Sequence, residues 1–263
     1  CCEVQEWRNF NRNARISELS GQHLDSHTNA DVDSFRIDNN FSSIKYFTND
    51  VFVKFTNLRN LVIHSTSLQY LMRGDFALAT HLHNVFITHN RITALEDYCF
   101  YGVQRLKTLN LRNNKISEIA ENAFRGLKTL KYLTLTANEI ENLHANTFID
   151  QIYMEQLSLS SNKLRHIDEM LLSETKNLEV IFLENNLLEV ISGKMFQHNQ
   201  RLREIYMDNN RIKHITNVQH FLVNLKDLEV AIFLNNTCVN IQIFIMQRFH
   251  PPYPQVFANC EEK

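Results

Sequence analysis

One pattern recurs along this chain at a fixed interval, and it leaves few folds open. An apolar residue is followed at offsets of three and five by two more, then by Asn at offset eight and a further apolar residue at offset ten. It reads Leu82, Val85, Ile87, Asn90, Ile92, then Leu106, Leu109, Leu111, Asn114, Ile116, then Leu130, Leu133, Leu135, Asn138, Ile140. Units starting at Met154, Leu178 and Leu202 follow, with Asn162, Asn186 and Asn210 in the Asn slot. Upstream, Leu58, Leu61, Ile63 and Leu68 fit with Thr66 in place of Asn. The seven starts, 58, 82, 106, 130, 154, 178 and 202, are each 24 residues apart. Units from Val32 and Leu228 flank them at offsets of 26. Amphipathic helices, with a period of about 3.6 residues, cannot generate six identical intervals of this length.

Each slot has a physical reading. Apolar residues two apart belong on one face of a short strand, pointing inward. The Asn then turns in, where its amide can satisfy backbone groups that water cannot reach. Thr66 can serve fewer partners, which predicts a looser turn there. Ten residues after the Asn slot stand Phe76, Phe100, Phe124, Phe148 and Phe196. Leu172 takes this position once, Phe221 falls one residue late, and Phe52 is displaced by the longer first unit. A stacked phenylalanine row is core, and it accounts for much of the 18 Phe.

The unit matches the leucine-rich repeat, whose lengths span about 20–29 residues. The fold expected is an α/β solenoid, a horseshoe with a parallel concave sheet and about nine repeats. Residues 1–31 would form an N-terminal cap, with a hairpin around Val4–Trp7 and Arg15–Leu19. The repeats would occupy 32–237 and a cysteine-containing C-terminal cap 238–263, since an open solenoid exposes an apolar cross-section at each end. After Cys238 an apolar segment (Val239, Ile241, Ile243, Phe244, Ile245, Met246, Phe249) reads as helix-like. It resembles a shortened form of the cysteine-bearing cap of extracellular leucine-rich-repeat proteins. That resemblance implies a Cys238–Cys260 bridge, closing a loop for on the order of 3 kcal/mol. Five cysteines leave at least one without an intrachain partner. Cys99 is either a small buried hydrophobe or a link to another chain, so a disulfide-linked or non-covalent oligomer stays open.

Residues 32–236 resemble the extracellular "typical" leucine-rich-repeat subfamily of Toll-like receptor ectodomains, axon-guidance ligands and matrix proteoglycans. The segment Val32–Ile37, with Ile44, Phe52, Phe55–Leu61 and Ser65-Thr66-Ser67-Leu68, further resembles secreted insect leucine-rich-repeat proteins, including those of complement-like immunity. The coiled coil of those immune proteins has no counterpart here. The resemblance implies a secreted protein acting in innate immunity or extracellular signalling. Two N-x-S/T acceptors, at Asn40 and Asn235, agree with secretion. The chain opens on Cys1-Cys2 and reads as mature or trimmed.

Little points to chemistry. The twelve His include a cluster of His64, His81, His83 and His89, yet no acid completes a metal site. Nucleophile elbows, phosphate loops and Cys-x-x-Cys pairs are missing, so no catalytic, metal or cofactor residue is assigned and an enzyme is not expected. A net charge of −2, a pI near 6.7 and the lack of a Lys/Arg run argue against nucleic acid. No stretch approaches the roughly 18 apolar residues of a membrane span. The expected partner is a protein, held on outward-facing strand positions. Phe182, Tyr206 and Ile232, with Glu184, Glu204 and Asp208, form the favoured half, and Phe86 and Tyr132 the other. An ectodomain fragment of a membrane-anchored receptor is the alternative.

Overall fold

The computed structural model of the chain describes residues 28–38, 44–244 and 257–260. The repeated slots become short strands stacked side by side: β1 (Ser34–Ile37), β2 (Asn60–His64), β3 (Asn84–Thr88), β5 (Thr108–Asn110), β7 (Tyr132–Thr134), β8 (Gln156–Ser158), β9 (Val180–Phe182), β11 (Glu204–Tyr206) and β13 (Val230–Ile232). They run parallel in sequence order in one sheet. The register repeats the sequence interval, with Leu61 beside Val85, Leu109, Leu133, Leu157, Ile181 and Ile205. All of these are buried, while their chain neighbours face outward. The expected parallel solenoid is therefore what the chain forms.

The return side is built largely from turns. The described α-helix, α1 (Asp50–Lys54), lies in the longer first unit. A 24-residue unit that spends residues on a strand, an inward Asn and a Phe anchor has too little chain left for a full helix and its connections. Short parallel pairs extend the stacking beyond the Asn turn: β4 (Ala94–Leu95) with β6 (Glu118–Ile119), and β10 (Val190–Ser192) with β12 (His214–Thr216).

The Asn slot forms a continuous ladder. Asn138 Nδ2 donates to Leu111 O of the preceding unit at 3.1 Å and to Leu135 O of its own at 2.9 Å, while its Oδ1 accepts from Ile116 N–H at 3.1 Å. Asn162, Asn186 and Asn210 repeat the arrangement. Thr66, buried like the asparagines, instead leans on the next unit: its backbone N–H and hydroxyl both donate to Asn90 Oδ1. Left-handed residues flank it on both sides, Ser65 at φ 56° and Ser67 at φ 65°. The position before the Asn slot is left-handed throughout, at His89, Asn113, Ala137, Ser161, Asn185, Asn209 and Asn235. Asn in four of these seven fits its tolerance for that backbone.

The phenylalanine row exists and is longer than expected. Rings stack from Phe47 and Phe52 through Phe76, Phe100, Phe124 and Phe148, with successive centroids 5.4–6.1 Å apart from Phe76 onward. It breaks at Leu172 and resumes through Phe196 and Phe221 to Phe233 and Phe257. The position three residues past the Phe slot changes character midway. Ala79, Val103 and Leu127 give way to buried Gln151, Thr175 and Asn199. Gln151 Nε2 donates to Phe124 O at 2.8 Å and Asn199 Nδ2 to Leu172 O at 3.0 Å, a second polar ladder on the return side.

At the C-terminal end the helix-like expectation is corrected. Gln242–Phe244 forms a strand, β14, antiparallel to β13. The alternation Val239, Ile241, Ile243 carries the strand period, which the apolar run around it hides. Residues 245–249 of that run lie outside the described residues. Cys238 and Cys260 form a disulfide, and Phe257 is fully buried against Phe221 and Phe233. Cys99 is fully buried, its thiol 3.8 Å from Ala123 O, and burial pushes its ionisation far up. It packs as a small hydrophobe and is out of reach of another chain. The hairpin expected at 4–19, and Cys1, Cys2 and Asn40, lie outside the described residues.

Candidate functional site

The outward positions of the strands assemble one continuous face from residues 24 apart. In its C-terminal half, Phe182 on β9 and Tyr206 on β11 stack with centroids 4.8 Å apart and ring planes 11° apart. Each is half-buried by the other, so they form a joined aromatic step with Ile232 next in line, also half-buried. Tyr206 Oη donates to Glu204 Oε2 at 2.7 Å, and this bond, which favours the protonated phenol, pushes its pKa up to about 12. Glu184, one strand position beyond Phe182, is half-buried; loss of water raises its pKa, with repulsion from Asp208 adding to the effect. Its Oε2 has no hydrogen-bond partner.

In the other half, Tyr132 is well exposed, at 41%. Glu155 anchors it, accepting from Tyr132 Oη at 2.7 Å and from Lys131 Nζ. Phe86 on β3 is half-buried two units away. Between the aromatic groups the face is small and polar: Thr136 and Ser158 hydroxyls meet at 2.6 Å, and Ser158 and Ser160 are buried despite their outward register. The structure thus sets Phe182, Glu184, Glu204, Tyr206, Asp208 and Ile232 on one continuous patch, with Phe86 and Tyr132 apart from it.

His64 and His89 do approach each other, with ring centroids 4.8 Å apart. His64 accepts or donates at Thr88 Oγ1, 2.9 Å away, and its pKa is lowered by burial first and then by His89 and Arg36. Among the described residues, no group of three or more His, Cys, Asp or Glu is placed to hold a metal ion. A groove of about 500 Å³ lies on the flank beyond the Asn turn, lined by Leu95, Glu96, Ile119, Leu143 and His144.

One feature of this face escapes a linear reading. Arg59, Lys107, Arg112 and Lys131 flank β2, β5 and β7 in its N-terminal half, with His64, His83 and His89 and with no acid at the outward positions of the second to fifth units, while the first unit carries Asp33, Arg36 and Asp38. Glu155, Glu179, Glu184, Glu204, Asp208 and Glu229 stand in the other half, with Arg203 as its cation. No run of like charge exists in the sequence because the solenoid gathers residues 24 apart. The argument from net charge against a basic field is corrected by this placement: the field is local. Asn235 is exposed beside β13, its amide donating to Asn209 Oδ1 at 2.8 Å.

Comparison with known proteins is consistent with this architecture. A family profile described as leucine rich repeat matches residues 80–140, 128–186, 152–212 and 176–231, together more than half the chain. Among curated protein sequences none matches. Of solved structures, a complex of latrophilin 3, Unc5D and FLRT2 contains a chain with TM-score 0.69 and 20% identity, covering 81% of this chain and 64% of that one. TLR13, solved with single-stranded RNA, gives TM-score 0.67 at 21% identity, covering 76% and 28%. The Leptospira interrogans leucine-rich-repeat protein LIC12759 gives 0.65 at 20%, covering 80% and 56%. The chain spans less than two thirds of each of these neighbours, and the likeness speaks for the fold alone. Repeat register, Asn ladder and profile agree, and the chain belongs to the leucine-rich-repeat family.

Proposed function

We propose that this chain is a secreted, non-catalytic binding protein that takes a protein partner on its concave sheet face, in innate immunity or extracellular signalling. The observation that carries the reading is the stacked Phe182–Tyr206 step, bordered by Ile232 and rimmed by Glu184, Glu204 and Asp208. Aromatic residues ringed by polar groups are the usual anchors of protein interfaces. A long, open face without an enclosed polar pocket suits surface recognition better than catalysis. The Cys238–Cys260 bridge supports an oxidising, extracellular setting, as does the exposed acceptor at Asn235. In two solved neighbours a leucine-rich-repeat chain is seen with other molecules, proteins in one and RNA in the other. No described helix is long and apolar enough to cross a membrane; an ectodomain of an anchored receptor would present the same face.

Capture of partners from extracellular fluid, with identification by mass spectrometry, tests the reading. Recovery of an extracellular protein that the Phe182→Ala/Tyr206→Ala double variant no longer retains is the expected result. Recovery of cytosolic proteins alone from the native source would count against secretion, and unchanged capture by the folded double variant against the face.

A further inference from the structure

Where each strand ends, the chain turns over the edge of the concave face, and these edge residues of successive units lie side by side. In the units that begin at Leu58, Leu82 and Leu106 they are residues 64–69, 88–93 and 112–117. They include Arg91, Arg112, Lys115, His64 and His89, and no acid. Arg91 and Lys115 hold the same slot in adjacent units, a register fixed three residues on by the pairing of Ala94 with Glu118. Neighbouring strands stand about 4.8 Å apart, so the two cations are presented at close to that interval. The cluster is continuous. The rings of His64 and His89 have centroids 4.8 Å apart, and His89 Nε2 lies 2.8 Å from Asn113 Nδ2, next in the chain to Arg112.

Its charge is uncompensated. Arg91, Arg112 and Lys115 are exposed and, among the described residues, join no ion pair. Further along the same edge acids stand among the cations, and Lys163 pairs with Glu139 at 2.7 Å and Lys213 with Glu189 at 2.9 Å. In the three basic units the acids come later, from Asp75, Glu96 and Glu118 onward, past the edge. Leu68, Ile92 and Ile116, the apolar residues of the cluster, are fully buried, and its remaining company is polar: Ser65, Ser67, Thr93 and Ser117. His64 registers the local field, its pKa lowered by burial first and then by His89 and Arg36, with Asp38 opposing.

We propose that this edge is a binding site for a sulfated polysaccharide, separate from the Phe182–Tyr206 patch and additional to the protein partner. Clustered Lys and Arg attract a polyanion by their summed field, and Arg matches oxyanions with its planar fork. The class of polyanion follows from the neighbours of the cations. A protein partner is anchored by apolar and aromatic contacts, and single-stranded nucleic acid by bases stacked on aromatic rings. Within residues 64–69, 88–93 and 112–117 no apolar side chain is exposed, and the two imidazoles pack edge to face on each other. A sulfated sugar chain asks only for cations and hydrogen-bonding groups, and an open edge lets a long chain pass across it.

Heparin is the probe, with affinity for the full chain measured by calorimetry. Binding is expected at low salt and should weaken as salt is raised, because exposed charges are screened. Arg91→Ser/Arg112→Ser/Lys115→Ser should weaken it by on the order of tenfold or more. Arg105→Ser/Lys128→Ser/Lys226→Ser removes three exposed cations from elsewhere and should leave affinity largely unchanged, as should Phe182→Ala/Tyr206→Ala. Unchanged thermal melts establish that each variant folds. Bound sulfate favours charged imidazoles, so affinity should rise as pH falls from about 7.5 to about 5.5. Arg36 and Asp38 act on His64 from the first unit, and Arg91 and Arg112 stand near His89 in the chain. His64→Gln/His89→Gln should flatten that rise; a rise of full size in this variant overturns the part given to the histidines. No binding at low salt overturns the proposal, as does equal loss in the two triple variants, which would reduce it to net charge. Tighter binding of single-stranded RNA or of a polyglutamate peptide than of heparin at this edge overturns the polysaccharide as its ligand.

Discussion

At the level of single residues, the buried asparagines carry a role that their side-chain chemistry dictates. From Leu111 to Met207, each ladder carbonyl receives two amides, one from its own unit and one from the next, as Leu135 O does from Asn138 and Asn162. Replacing Asn138 with Ala strands the Ile116 N–H in the core and strips one donor each from Leu111 O and Leu135 O. Leaving a buried donor unmet costs about 1–3 kcal/mol, so the whole substitution should destabilise by on the order of 3 kcal/mol in a urea melt. Glu184 gives a prediction about pH. Its folded pKa is raised above the ordinary 4.5 chiefly by burial. The folded state therefore holds this proton more tightly than the unfolded chain does. The stability it contributes is full below 4.5 and is lost as pH rises through the raised value. Glu184→Gln should be more stable than the parent at pH 7, and the difference should shrink towards pH 4; equal pH profiles would remove this account. Asn in the repeat slot was legible from the sequence because its chemistry and its period coincide. The paired tyrosines were not: that Glu155 and Glu204 hold Tyr132 and Tyr206 depends on which rotamers meet, one unit or one strand position apart.

Strands and turns follow a simpler logic, since the 24-residue register is copied intact into the strand pairing. The phenylalanine row was also legible, except at its ends. Phe47, Phe233 and Phe257 join it from positions outside the repeat spacing, where tertiary packing and not period decides. Phe124 sits in the middle with partners on both sides, Phe100 and Phe148. Phe124→Ala should cost about 3–5 kcal/mol, the usual penalty for emptying an aromatic core site. Because neighbouring units depend on one another, hydrogen exchange should rise mainly in units flanking residue 124, and far less beyond residue 200. Uniform loosening along the chain would contradict a nearest-neighbour solenoid. The C-terminal strand shows the opposite case. Its alternation covers only Val239, Ile241 and Ile243, and a continuous apolar run reads equally as helix or strand until its neighbour, here β13, is known.

For the molecule as a whole, the sequence spoke clearly about architecture and quietly about the site. A column of residues 24 apart is visible once the register is fixed, so the Phe182, Tyr206 and Ile232 patch could be named in advance. Its stacking, and the division of the face into basic and acidic halves, become physical only when the units lie side by side. Exposure also differs from what the columns suggest, since Ser158 and Ser160 are covered and Tyr132, of Phe86, Tyr132, Phe182 and Tyr206, is the one that stands most open. On the function proposed above, the concave face, and not the return side, is where this solenoid meets its partner. The return side offers its own exposed aromatics, Tyr101 and Tyr153, which serve as an internal control. The most direct measurement is the affinity of a captured partner for two folded variants, Phe182→Ala/Tyr206→Ala and Tyr101→Ala/Tyr153→Ala. Loss of two interface aromatics should weaken binding by on the order of tenfold or more for the first variant, with the second unchanged. Full affinity in the first and loss in the second would place the binding surface on the opposite side of the solenoid.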